Sequence, residues 1–131
     1  MAYLLDTDWA IEAISGNVDV LNRLQMLAGG QISISWVTVA ELYEGAYRSN
    51  NPDARLARIE QFMHRYPVVY PNTRVAMEFA ALRVSLRRRG NLINDFDLVI
   101  AATALEYDLT LLTFNRRHFE RIPDLRLYST F

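Results

Sequence analysis

The chain has 131 residues, 51% hydrophobic and 22% charged, with five glycines and four prolines; this is the balance of a globular protein and excludes a disordered tail or a linker. It contains no cysteine, which removes disulfides, zinc knuckles, iron–sulfur clusters and thiol nucleophiles together. Fourteen arginines and no lysine stand against fifteen acids for a formal charge of −1, so nucleic-acid binding has to come from local arrangement and not from a global field.

A chain of this length can bury one core without staples, so a single domain over residues 1–131 is expected. Tyr3-Leu4-Leu5 is an apolar run that reads as a buried strand ending at Asp6, with a helix starting near Thr7 or Asp8. Val18, Leu21, Leu24 and Leu27 mark a second amphipathic helix that stops at Gly29-Gly30. Ile32 to Ser35 alternates as a strand, and Thr38 then opens a helix carrying Val39, Leu42, Tyr43 and Tyr47. After the turn at Asn50 to Asp53 comes a helix marked by Leu56, Ile59, Phe62 and Met63, and then a short strand between Pro67 and Pro71. Asn72 or Thr73 caps a helix that runs from Val75 to Arg87-Arg88-Arg89-Gly90, where the arginines complement the helix carboxyl end. Asn94 caps the next, holding Leu98, Ile100, Ala101 and Ala104. A strand at Leu109 to Leu112, a helical turn around Arg117 to Arg121 and a last strand at Leu125 to Tyr128 complete the order.

Short, nearly uniformly apolar strands alternating with helices imply a three-layer α/β/α domain with a central, mainly parallel sheet. Ligands of such sheets bind beyond the carboxyl ends of the strands, where strand ends and helix starts meet. The amino terminus lacks the basic and apolar regions of a signal peptide, and no run approaches about 18 apolar residues, so a soluble cytoplasmic protein is expected.

Acidic and amide side chains gather at that edge. Asp6 follows the first strand, Glu41 falls in the first turn of the helix after the second, Asp95 and Asp97 open the helix that feeds the fourth, and Asn115 lies just beyond it. Each has a capping explanation: Thr38 to Glu41 fits a capping box, Asp97 follows the Asn94 cap by three residues, and Asp6 is itself placed to cap. Capping explains any one of them better than it explains all of them on a single edge. Crowded carboxylates repel, and a cation is the natural compensation. Oxygen donors suit Mg²⁺ or Mn²⁺ and match zinc poorly. Such ions activate water and neutralise a scissile phosphate, the tasks of phosphodiester hydrolysis. His64 and His118 are not needed as ligands; His118 is placed to touch substrate.

At these residues the chain resembles the PIN-domain family, and within it the VapC-type toxin ribonucleases of VapBC toxin–antitoxin systems. The matching features are the strand ending in Asp6, Thr38-x-x-Glu41-Leu42, the run Asp97-Leu98-Val99-Ile100-Ala101-Ala102-Thr103-Ala104, and Thr113-Phe114-Asn115-Arg116-Arg117-His118-Phe119. The resemblance implies a Mg²⁺- or Mn²⁺-dependent endoribonuclease acting on single-stranded RNA, a homodimer held inactive by a small VapB-like antitoxin. It implies Asp6, Glu41 and Asp97 as the acidic metal-binding cluster, with Asn115 where many relatives carry another acid. Asn115 would then hold water or phosphate, Thr113 would support the site through its hydroxyl, and Asp95 is an extra carboxylate that either replaces the missing charge or extends the cap. The antitoxin would pack on the helices around Leu42 to Tyr47 and Leu56 to Met63, whose apolar residues exceed what one short sheet obviously needs.

Two rival readings have consequences of their own. Leu4-Leu5-Asp6-Thr7-Asp8 also looks like the nucleophile motif of haloacid-dehalogenase-like phosphatases, but that chemistry needs a lysine and the chain has none. A catalytically inactive PIN-fold module that binds RNA or protein without cutting would have no use for a costly carboxylate cluster.

Overall fold

The computed structural model describes residues 1–129. Four strands, β1 (Ala2–Leu5), β2 (Gln31–Ser35), β3 (Val68–Val69) and β4 (Thr110–Leu112), form one sheet in the order β3-β2-β1-β4, with every pairing parallel. The central strand β1 pairs Leu5 with Ile34 on one side and with Leu112 on the other. Among the described residues seven helices connect and cover the sheet: α1 (Thr7–Ile14), α2 (Val18–Met26), α3 (Trp36–Arg48), α4 (Pro52–Arg65), α5 (Thr73–Arg88), α6 (Asp95–Glu106) and the short α7 (Arg116–Phe119).

Successive strand side chains point to opposite faces, so each strand feeds two cores. Leu5, Ile34 and Leu112 pack with Trp9, Val20, Leu42 and Phe62 beneath α1 to α4. On the other face Leu4 and Leu111 pack with Val75, Leu86, Leu98, Ile100 and Phe119 beneath α5, α6 and α7. Burying a side chain of this size contributes about 1.5–3 kcal/mol, and covering both faces is why the strands read as apolar runs. This is the three-layer α/β/α architecture, with a sheet that is wholly parallel among the described residues.

Among the described residues, asparagine side chains cap four of the helices. Asn17, Asn51, Asn72 and Asn94 each accept, through the side-chain oxygen, the backbone N–H three residues on, at Val20, Ala54, Val75 and Asp97. Gly30 precedes β2 so closely to β1 that an added Cβ would run into the Met1 carbonyl oxygen, so no larger residue fits without displacing the strand.

The ends of several elements depart from the sequence expectation. The helix expected to open at Thr38 begins at Trp36, because Ser35 at the end of β2 accepts the Val37 N–H (3.1 Å) and strand passes directly into helix. Thr38 therefore does not cap, and Glu41 stands in the second turn, not the first. The strand expected between Pro67 and Pro71 shortens to Val68–Val69, and the turn near residue 117 is α7, one residue earlier. The last expected strand is reduced to a single parallel bridge between Leu111 and Leu127. Of the apolar side chains on α3 and α4 expected to be in surplus, Leu42, Ile59 and Phe62 are buried, Tyr43, Leu56 and Met63 pack against them, and only Tyr47 is well exposed.

Candidate active site

The carboxyl ends of β1 and β4 are neighbours, and their next residues meet. Asp6 follows Leu5, its backbone N–H donates to Leu112 O (2.9 Å), and it is 5% exposed. Its Oδ1 accepts from Thr7 N (2.8 Å) and its Oδ2 from the Thr113 hydroxyl (2.7 Å). Thr113 is itself buried and its oxygen accepts from Asn115 N (2.9 Å), so one hydroxyl joins the Asp6 carboxylate to the loop after β4.

Asp8, in the first turn of α1, faces the same loop. Its Oδ2 accepts from Phe114 N (3.0 Å) and lies 3.4 Å from the Thr113 hydroxyl, while Oδ1 accepts from Trp9 N (2.7 Å). Burial first, then the neighbouring Asp8 and, last, Asp97 push the Asp6 carboxyl up from 3.8 to about 7, against the lowering effect of its hydrogen bonds from Thr113 and Thr7. Asp8 is raised too, chiefly by burial, with Asp97 adding to it. Asp8 was not singled out from the sequence as a site residue here. Its signal was the Asp6-x-Asp8 spacing, which also reads as an acid complementing a helix start.

Asp97 arrives from α6. The Asn94 cap accepts its N–H and donates from Nδ2 to Asp97 Oδ2, both at 2.9 Å, and the carboxylate is 16% exposed. The same Oδ2 lies 3.4 Å from His118 Nδ1, which in turn lies 2.9 Å from Asn115 Nδ2. Asn115 stands at the start of α7 with no side-chain capping bond, so its amide is committed to His118. Glu41 reaches the cluster through Thr7, whose hydroxyl donates to Glu41 Oε1 (2.7 Å) and lies 3.0 Å from Thr38 Oγ1. Asp95 does not join: it is exposed and accepts from Arg83 Nε (3.1 Å).

Asp6, Asp8, Asp97, Thr113 and Asn115 thus share one edge with Glu41 one residue removed. Among the described residues Asp6 and Asp8 have no ion pair with any arginine or histidine. Also among the described residues, no three carboxylate or imidazole side chains stand close enough to enclose an ion unaided. An incomplete shell of hard oxygen donors with unbalanced negative charge suits a divalent ion that keeps part of its water. A cation there would offset the Asp8 and Asp97 repulsion that adds to burial in raising Asp6, so the residues present fit such an ion.

Beside the edge, α1, α3 and α4 leave a groove of about 290 Å³. Ile11, Ile14, Leu42 and Ile59 give it an apolar wall, and Glu41, Arg48 and Arg55 line it as well. Glu41 is therefore common to the groove and to the neighbourhood of the acidic edge.

Residues 3–125 match the PIN domain. The chain is 36% identical over 127 residues to a protein named ribonuclease VapC2 from Haemophilus influenzae, covering 96% of each. It is 32% identical to a tRNA(fMet)-specific endonuclease VapC from Salmonella typhimurium, covering 97% of this chain and 96% of that one. Among solved structures it superposes with a TM-score of 0.94, at 30% identity and over the whole of both chains, on VapBC2 from Rickettsia felis bound to a DNA fragment from their promoter.

Proposed function

The chain belongs to the PIN-domain family, and from that premise we propose that it is a metal-dependent endoribonuclease, the toxin of a VapBC-type toxin–antitoxin pair, acting on single-stranded RNA in the cytoplasm as one domain over residues 1–131. The observation that carries the reading is the buried Asp6 carboxylate, grouped with Asp8 and Asp97 beyond the strand ends and without an ion pair of its own among the described residues. Such a group costs stability unless it serves a ligand.

Asp6, Glu41 and Asp97 would hold Mg²⁺ or Mn²⁺, with the Asp8 carboxylate adding negative charge beside Asp6. A bound divalent ion supplies an activated water and neutralises the scissile phosphate. Thr113 keeps the Asp6 carboxylate in one orientation by donating to Oδ2, so that Oδ1, held by Thr7 N, cannot swing away. Asn94 does the same for Asp97. Asn115 is neutral and positions water or a phosphate oxygen, while Asp95, neutralised by Arg83, extends the helix cap.

The partner is a small VapB-like antitoxin. The groove between α1, α3 and α4 suits an apolar segment, and a basic side chain entering from it meets Glu41 at the acidic edge. The toxin itself forms a homodimer. Sequencing of RNA ends after brief expression in cells tests the reading: new, recurrent ends that vanish in Asp97→Asn are expected, and an RNA population identical in the two strains contradicts it.

A further inference from the structure

An acidic edge repels RNA, and a chain of net charge −1 offers no global attraction to offset it, so affinity for a polyanion has to be supplied locally. The carboxyl half of α5 has the residues for this. Arg87, Arg88 and Arg89 are exposed, and none of them forms an ion pair among the described residues. Arg83, one turn earlier, binds Asp95 and so ties this part of α5 to the first turn of α6, where Asp97 stands. Arg121 reaches the same junction, its Nη1 donating to Asn91 O (3.5 Å) and Leu92 O (3.4 Å). Between Asp95 and Asp97 in the chain, Phe96 is 49% exposed.

Resting on the ribonuclease reading above, we propose that the carboxyl half of α5 and the α5–α6 junction form a track for single-stranded RNA. Arg87, Arg88 and Arg89 take successive phosphates toward the acidic edge, and Phe96 stacks on a base beside it. Cations in a last helical turn also favour the helix dipole, but that effect is short-ranged and worth only about 0.3–1 kcal/mol at an exposed site. The face carries exposed Met77 and Val84 as well, which would suit a second copy of the chain. Three exposed guanidiniums with no carboxylate partner among the described residues complement a polyanion better than an apolar face, which favours RNA over a second copy.

The test is fluorescence anisotropy of a labelled, unstructured RNA with the non-cleaving Asp97→Asn protein, titrated over a series of NaCl concentrations. Replacing Arg87, Arg88 and Arg89 by Gln is expected to lower the slope of log Kd against log[NaCl] by about 2, since each single-strand phosphate contact contributes about 0.7. The triple Lys replacement keeps the slope, and Phe96→Ala weakens binding about fivefold or more with the slope unchanged. A helix-end role alone would shift the melting temperature and leave the slope alone, so an unchanged slope in the triple Gln variant overturns the track. A triple Gln variant that becomes monomeric in light scattering and still binds RNA as before overturns it in favour of a second copy. If the arginine-intact protein binds no RNA the track is also overturned, and cleavage by the wild type then decides separately whether the ribonuclease reading survives.

Discussion

Asp6 decides the behaviour of the metal-free protein. Its folded-state pKa of about 7 lies above the ordinary 3.8, so the fold favours the protonated form, and burial with the repulsion of Asp8 makes the charged form cost about 4 kcal/mol net at about 1.4 per unit. The unfolded chain loses its proton first, so stability without metal falls as pH rises from 3.8 to about 7 and stays low above that. Asp8, raised by the same burial, adds in the same direction. Urea melts in chelator on either side of that window are expected to show the loss, and Asp6→Asn should flatten it while raising stability at the alkaline end. A melt independent of pH in the wild type would contradict this. Thr113 acts through Asp6, so Thr113→Val should reduce RNA cleavage about 10–100-fold and weaken Mn²⁺ binding with it. Asn115→Ala is expected to lower turnover more than Mn²⁺ affinity, whereas Asn115→Asp tightens the ion by adding a charged oxygen; equal affinities across the three proteins would place Asn115 beyond its reach.

Helix starts show what local pattern can and cannot carry. The asparagine caps at 17, 51, 72 and 94 belong to their own helices; the sequence alone named Asn94 and narrowed the cap of α5 to Asn72 or Thr73, because the capping bond spans only three residues. The start of α3 was misplaced because Thr38 and Glu41 satisfy the capping-box spacing, while the competing Ser35 reads as the end of a strand. With the helix beginning at Trp36, Thr38 and Glu41 turn to Thr7, 31 and 34 residues back. The link from Asp8 to Phe114 spans 106 residues, so nothing near Asp8 in the chain distinguishes it from any acid that complements a helix start. Strand ends and helix starts, by contrast, put Asp6, Asp97 and Asn115 on one edge without tertiary knowledge, because parallel crossovers return every strand in the same direction. Ser35→Ala is expected to cost about 1 kcal/mol through the lost cap of α3, measured by urea denaturation. No loss at Ser35 would mean that the helix starts elsewhere.

At the scale of the whole molecule, two cores on opposite faces of the sheet fix the strand ends, and the acidic edge lies where α1, α3, α6 and the loop after β4 meet. None of the helices among the described residues is long and apolar enough to cross a membrane. With the antitoxin proposed to seat in the groove between α1, α3 and α4, a VapB-like partner is expected to raise the mass in light scattering and to silence the enzyme together. Substituting Ile11 and Arg55, which line the groove and are exposed, would separate a lost partner from a lost site. The most direct measurement is cleavage of an unstructured RNA by the purified protein, with Mg²⁺ or Mn²⁺ and with excess chelator, beside Asp6→Asn and Asp97→Asn. Cleavage that needs the ion and falls by more than about 100-fold in both variants, beyond the effect of an outer-shell residue, is the predicted result; undiminished cleavage in chelator, or by either variant, would contradict it.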